Sequence, residues 1–313
     1  MALGAAKALK ARFNCALFLG VLPRYRALAR ACEHVDDVFT SEPALNRAIA
    51  QYPPETVLGR ELTAYMASVS PDHQIDVYLE ACGISAPARL KEIELRLDPG
   101  AETQADAMIA SWPALASGTA RILIHPATGD PNRTWPRSRW EELAARLIAA
   151  GHQVVVIGSR SARSDRGVHD LTVSGLVTAV DRLQPLATVA LMRHADVLVS
   201  TDGGPVQLAG ATDIGIVGIY SVVAGKHRLP FRHGEAGWRA RAVSPVCPAH
   251  PCIQGVADPA VRERIDRTLR EQPGSNPLGE WCVMPQRYHC LTHEITVSMV
   301  LDACRDLLPA SPD

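Results

Sequence analysis

Asp202, Gly203, Gly204 and Pro205 interrupt an otherwise apolar passage, DVLVSTDGGPVQLAGATDIGIVGIY. Two glycines let a backbone approach a ligand without side-chain obstruction. Proline is accepted at a first helical position, where its missing N–H would be unpaired anyway. The helix start that follows offers free N–H groups and partial positive charge, both suited to phosphate. Asp202 either braces the loop by accepting backbone N–H groups or orients a ligand hydroxyl; a tight strand-to-helix turn without ligand is the alternative. A second stretch, HPATGDPNRTWP, follows the apolar run Ile122–Ile124. Thr128 supplies a hydroxyl there, Gly129 a permissive backbone and Arg133 a guanidinium fork matched to phosphate. Two such loops at corresponding strand ends point to a nucleotide-diphosphate site, where either alone reads as a surface turn. A third group is CPAHPC and WCVMPQRYHC, which supply Cys247, Cys252, Cys282 and Cys290, with His250, His289 and His293 nearby. Four cysteines from two loops suit a tetrahedral zinc or iron site, although four and seven intervening residues exceed the usual two to four. Reduced, partly buried thiols are the alternative.

The elements that must position these residues alternate along the chain. ALGAAKALKARF, YRALARAC, ALNRAIAQ and DHQIDVYLEACGI carry helical spacing, the last stopped by Gly83; ALFLGVL and VDDVFT read as strands. A turn is expected at Pro99-Gly100 and a helix over TQADAMIASWPAL. WEELAARLIAAG places Trp140, Leu143, Leu147 and Ile148 on one face, with Gly151 at its end. QVVVIGS is a continuous apolar run ending in Gly158-Ser159, as a strand covered on both faces would be. PLATVALMRHA, DVLVS, PVQLAGA and IGIVGIY then give helix, strand, helix, strand, and TVSMVLDACRDLL closes as an amphipathic helix. Such alternation predicts an α/β fold with parallel sheets and helices on both faces. The expected division is into residues 1–115 and 116–313, each sheet forming one domain across a cleft.

Composition excludes several classes. A net charge of −1 over 313 residues provides no global field for nucleic acid, though WPRSRW and GKHRLPFRHG are locally basic. No apolar run reaches the roughly 20 residues of a membrane helix. CALFLGVL is flanked by KALKARF and PRYRALARAC and reads as a strand bounded by charge, so cytoplasmic residence is expected. Of eight cysteines, Cys15, Cys32, Cys82 and Cys304 read as inert core or near-core residues.

HPATGDPNRTWPRSRWEELAARLIAAGHQVVVIGS resembles the donor-domain signature of glycosyltransferase family 9, the ADP-heptose heptosyltransferases. LATVALMRHADVLVSTDGGPVQLAGA is similar to that family's second signature, Asp-Ser/Thr-Gly-Pro-x-His-x-Ala. The resemblance implies a GT-B fold, two Rossmann-like domains facing across a cleft, with the nucleotide sugar held mainly by the second. Arg133 would then serve the donor phosphates and Thr128 a loop hydroxyl contact, while Asp202, Gly203 and Gly204 hold the diphosphate and sugar end. Gly129, Ser159 and Gln207 complete the expected donor-binding set. Catalysis would need no metal. Some protein O-heptosyltransferases resembling the family carry an iron site held by four cysteines, which makes any ion at Cys247, Cys252, Cys282 and Cys290 structural.

Three departures from the family pattern stand out. Gly203 replaces a Ser or Thr, and Gln207 replaces a common His and cannot become cationic. Family members also begin with a strand and a Gly-Asp loop whose Asp is the expected general base. Here Gly4 onward matches the helix after it, which places that strand and Asp before Met1. The catalytic residue is therefore unassigned; His73, near the acceptor-side helix, is the remaining candidate. The resulting expectation is an inverting transfer of heptose from an ADP-sugar to a lipopolysaccharide or other surface-glycan acceptor. It would occur in the cytoplasm, with peripheral contact at the inner face of the inner membrane. A protein acceptor, or a degenerate nucleotide-sugar-binding homologue, is the alternative.

Overall fold

The computed structural model describes residues 2–59, 70, 72–127, 131–160, 168–248, 250–252, 263, 267, 271, 282 and 284–309. Its frame is a six-stranded, all-parallel sheet. β3 (Arg121–His125), β4 (Gln153–Val156) and β5 (Val177–Thr178) run outward in one direction; β6 (Val197–Thr201), β7 (Gly215–Ile219) and β10 (Ala240–Val243) run outward in the other. The middle strands are apolar at their centres because both faces are covered. Ile122, Ile124, Val154, Val156, Val199 and Val217 pack on α6 (Arg137–Ala149) and α9 (Val297–Arg305). Leu123, Val155, Leu198 and Ile216 point the other way. They meet α5 (Pro99–Ala110), α7 (Pro185–Arg193) and α8 (Gly204–Ala209). Each such buried aliphatic side chain contributes about 1.5–3 kcal/mol. Gly151, at φ +91°, ends α6 as its position implies, because a residue with Cβ is strained there.

The earlier part of the chain holds α1 (Ala2–Phe13), β1 (Phe18–Gly20), α2 (Arg26–Arg30), β2 (Asp37–Phe39), α3 (Glu42–Ile49) and α4 (Gln74–Ala81). β1 and β2 form a two-stranded parallel sheet. Ala5, Ala8, Ile75 and Leu79 pack α1 on α4.

Several local expectations are corrected. Pro99-Gly100 is the first turn of α5, since the Asp98 carboxylate caps it by accepting from Ala101 N–H at 2.8 Å. Residues 221–290, rich in Pro, Gly, His and Arg, are expected from that composition to lose the regular alternation, yet they carry a hairpin of β8 (Phe231–Arg232) and β9 (Glu235–Ala236) before β10 extends the sheet. Cys32 and Cys304 are buried, but Cys15 is exposed.

Candidate functional site

Strand order locates the site. The chain leaves β3 through α6 to β4 on one side and later returns through α7 to β6 on the other. β3 and β6 are neighbours, with His125 opposite Ser200. Connections diverge at their carboxyl ends, the place where an open parallel sheet leaves a crevice for a ligand. Both loops expected to bind anions emerge there.

They also touch. The Arg133 guanidinium donates to the Asp202 carbonyl at 3.0 Å and lies 3.5 Å from its carboxylate. Asp202 is 7% exposed and its N–H donates to the Ile219 carbonyl at 3.1 Å. The loop that carries Arg133 is anchored in the core two residues further on. Trp135 is fully buried, edge-on to Trp140 with centroids 5.1 Å apart, and its indole N–H donates to the Ile295 carbonyl at 2.9 Å. The Trp-Pro element thus anchors the loop to the closing segment of the chain.

The glycines after Asp202 are there for space. Gly203 has extended backbone, φ −175°, which any residue adopts. A Cβ on it would meet nothing nearer than 3.7 Å, and one on Gly204 would meet nothing within 4 Å. Together they leave an open face beside a paired arginine, an arrangement able to receive a diphosphate.

The ends of β3 and β6 also carry a polar layer that sequence reasoning missed, half-buried at His125 and buried at Ser200 and His169. His125, at the end of β3, has its pKa lowered to about 3, by burial first and then by His169. The Ser200 hydroxyl donates to the Thr201 carbonyl at 2.8 Å, so its 3.3 Å contact with His125 Nδ1 makes the imidazole the donor. A Cβ on Gly158, φ +137°, would lie 2.2 Å from His169 Nε2, so the end of β4 requires glycine. The apolar run RILIH ends in histidine in the sequence, but only strand pairing brings it to Ser200.

The remaining expected residues divide. Ser159 is exposed at the end of β4 and its hydroxyl bonds the Asp181 carboxylate. Gln207 is 6% exposed and spends its amide N–H on the Arg228 carbonyl at 2.6 Å. Thr128 and Gly129 lie outside the described residues. His73 caps α4 by accepting from Ile75 N–H at Nδ1, 3.2 Å, while its Nε2–H donates to the Leu229 carbonyl at 2.9 Å. With both nitrogens engaged, and its pKa lowered by burial, His73 is a neutral structural donor in this arrangement and not a free base.

Cys247, Cys252, Cys282 and Cys290 are near enough to influence one another. Burial, then Cys290, pushes the Cys252 thiol up to about 12; burial, then Cys247, pushes Cys290 up to about 11. Their donor chemistry suits zinc or iron. Among the described residues, however, no three Cys, His, Asp or Glu side chains are grouped so as to hold an ion.

The comparisons with known proteins come to the same fold. Among curated protein sequences none matches. A glycosyltransferase family 9 protein from Veillonella parvula aligns over 97% of this chain and 93% of its own, with 14% identity and a TM-score of 0.67. ADP-heptose LPS heptosyltransferase II of E. coli aligns over 98% and 93%, with 16% identity and a TM-score of 0.60. The iron-containing dodecameric glycosyltransferase TibC of E. coli H10407 aligns over 97% and 72%, with 16% identity and a TM-score of 0.59. These likenesses establish the fold as that of the GT-B-type enzymes. The sequence profile of glycosyltransferase family 9 (heptosyltransferase) matches residues 72–240, more than half of the 313-residue chain. By that match the chain is a member of glycosyltransferase family 9, a glycosyltransferase of heptosyltransferase type.

Proposed function

We propose that this glycosyltransferase moves a heptose from ADP-heptose to a lipopolysaccharide or related surface-glycan acceptor, with inversion at the anomeric carbon. The carrying observation is the pairing of Arg133 with Asp202 across the β3–β6 crevice, beside the open face at Gly203 and Gly204. The acceptor hydroxyl attacks the anomeric carbon as the bond to the nucleoside diphosphate breaks. Negative charge grows on the departing diphosphate, and Arg133 stabilises it more in the transition state than in the bound donor. Residues 116–313 form the donor side in this reading, with Ser159 and Gln207 bordering the pocket, and residues 1–115 face the acceptor. No helix among the described residues is long and apolar enough to cross a membrane. A lipid-linked acceptor would be met peripherally, at the inner face of the inner membrane.

The test is transfer from ADP-heptose to purified lipopolysaccharide lacking its heptoses, with the new linkage read by NMR. Inverted anomeric configuration is expected. Retained configuration would contradict the single displacement. Transfer to a protein serine alone would move the acceptor to protein, and donor binding without transfer to either would favour a degenerate homologue.

For the four cysteines we propose a structural ion, zinc or iron, that draws Cys247, Cys252, Cys282 and Cys290 together and has no part in the transfer step. The raised thiol pKa values mean that loading must release protons. Elemental analysis of the purified chain is expected to find about one ion per chain, lost on mutation of Cys252 to Ser. Metal-free protein of unchanged thermal stability would overturn this.

A further inference from the structure

Four polar side chains from distant parts of the sequence are buried together. Gln74 is 1% exposed, Arg228 4%, Tyr78 5% and Gln207 6%. The Arg228 guanidinium donates to the Gln74 side-chain carbonyl, and the Gln74 amide donates to the Tyr78 hydroxyl at 2.9 Å. The backbone carbonyl of the same Arg228 accepts from Gln207 at 2.6 Å. One residue thus faces two ways: its side chain is fixed by α4, its peptide by α8. Next to it, His73 donates to the Leu229 carbonyl and its ring lies edge-on to Phe231, with centroids 4.5 Å apart. The Lys91 ammonium, paired with Asp76, sits over the Phe231 ring at 4.9 Å. The turn leading into Arg228 is packed on Tyr220 and Ala242, since a Cβ on Gly225 would lie 2.7 Å and 2.4 Å from them.

α8 begins at Gly204, directly after Asp202 and Gly203. Besides the bonds of Asp202 to Arg133 and Ile219, Gln207 is therefore a second point at which this loop is fastened, and this fastening leads back to α4. A buried guanidinium is a poor way to gain stability, because well-packed apolar side chains of similar volume often do as well or better. It does fix a unique geometry, since the planar fork admits few arrangements.

We propose that Gln74 and Arg228 are positioning residues for glycosyl transfer: through the Arg228 carbonyl they hold Gln207, and with it the Asp202–Gln207 loop, in the arrangement that receives a nucleoside diphosphate. Neither residue touches the donor. The assignment rests on the donor-site reading above. It makes α4, remote in sequence, part of the machinery that sets donor affinity. It also accounts for Gln207 in place of histidine: a neutral amide can donate to Arg228 without adding a second cation beside the guanidinium.

The experiment is calorimetric titration with ADP of the parent chain and of Gln74→Leu, Gln207→Leu, the double variant, Gln74→Glu and Arg133→Ala. Gln74→Leu is expected to weaken ADP binding roughly 5- to 20-fold, at or below the low end of the ~10- to 150-fold for losing a direct hydrogen bond to a charged group, because Gln74 acts on the donor only through Arg228 and Gln207. The double variant is expected to be no weaker than the weaker single variant, because both cut one relay. Gln74→Glu, which still accepts from Arg228, is expected to restore affinity; a merely structural contact would change thermal stability and leave ADP affinity alone. Should Gln74→Leu fail to fold, Gln74→Asn withdraws the same amide by one methylene. Parent-like ADP binding by Gln74→Leu with weakened binding by Arg133→Ala would overturn the relay alone, as would additive effects in the double variant. Parent-like binding by Arg133→Ala would overturn the donor site and the relay with it.

Discussion

The region before residue 60 and the six-stranded sheet are built from the same alternation of helix and strand, yet they differ in depth. β1 and β2 are three residues each, and α3 contains no buried residue. Phe13, Leu22, Tyr25, Tyr52 and Leu58 are five of the seven large apolar side chains that stand exposed among the described residues. In the sheet, every residue of β6 and β7 is buried. The lesson is that the proposed donor crevice is cut into a deeply buried frame, whereas the early region presents a thin layer with apolar side chains at its surface. A frame of that kind can hold Arg133 and Asp202 in register; a thin layer cannot hold a site with the same precision.

The sharpest way to break this contrast is to cut each region at an aromatic residue. Trp135→Ala removes a fully buried indole and its bond to Ile295, and is expected to cost about 3–5 kcal/mol. Phe18→Ala removes a half-buried ring that meets Phe39 and Tyr52 at centroid distances of 5.8 and 5.9 Å. It is expected to cost roughly 1–2 kcal/mol. Urea unfolding measures both, and equal losses would show that the two regions are equally deep.

Acid provides the next largest effect. An unfolded histidine binds a proton near pH 6.5, whereas His125 in the folded frame does so only at about 3. Between those values the unfolded chain holds the extra proton. Stability is therefore fully present above about pH 6.5 and falls as pH drops towards 3. His125→Asn does not titrate, so its stability is expected to decline less steeply over that window. Parallel pH profiles for parent and variant would remove His125 from the account.

The smallest effect is expected at Gly203→Ser. The backbone there is extended and a Cβ has room, so stability should stay within about 0.5 kcal/mol. A larger loss would mean that the open face is smaller than it looks.

Much of the frame was readable before folding was considered. Ile122 to Ile124 and Val154 to Val156 are continuous apolar runs because both faces of their strands are covered. β10 escaped because it is an edge strand in which Ala240 and Val243 are buried but Arg241 and Ala242 are exposed, leaving no apolar run. The start of α5 escaped because Pro99-Gly100 has turn chemistry, and only the Asp98 cap converts it into a helix start. Within the site, Arg133 and Asp202 could be named from loop position and residue type. Their pairing could not, since 69 residues separate them and only the strand order makes them neighbours. The layer of His125, His169 and Ser200 was hidden for the same reason, as was the path from Gln74 to Gln207.

The donor site itself is tested most directly by ADP calorimetry on the parent and on Arg133→Ala, with thermal unfolding followed in parallel. A charge-assisted hydrogen bond to phosphate is worth roughly 1.5–3 kcal/mol, or about 10- to 150-fold in affinity. The account expects a loss of that size with the folded frame intact. Equal ADP affinity in the two proteins would place the nucleotide diphosphate somewhere other than the β3–β6 crevice.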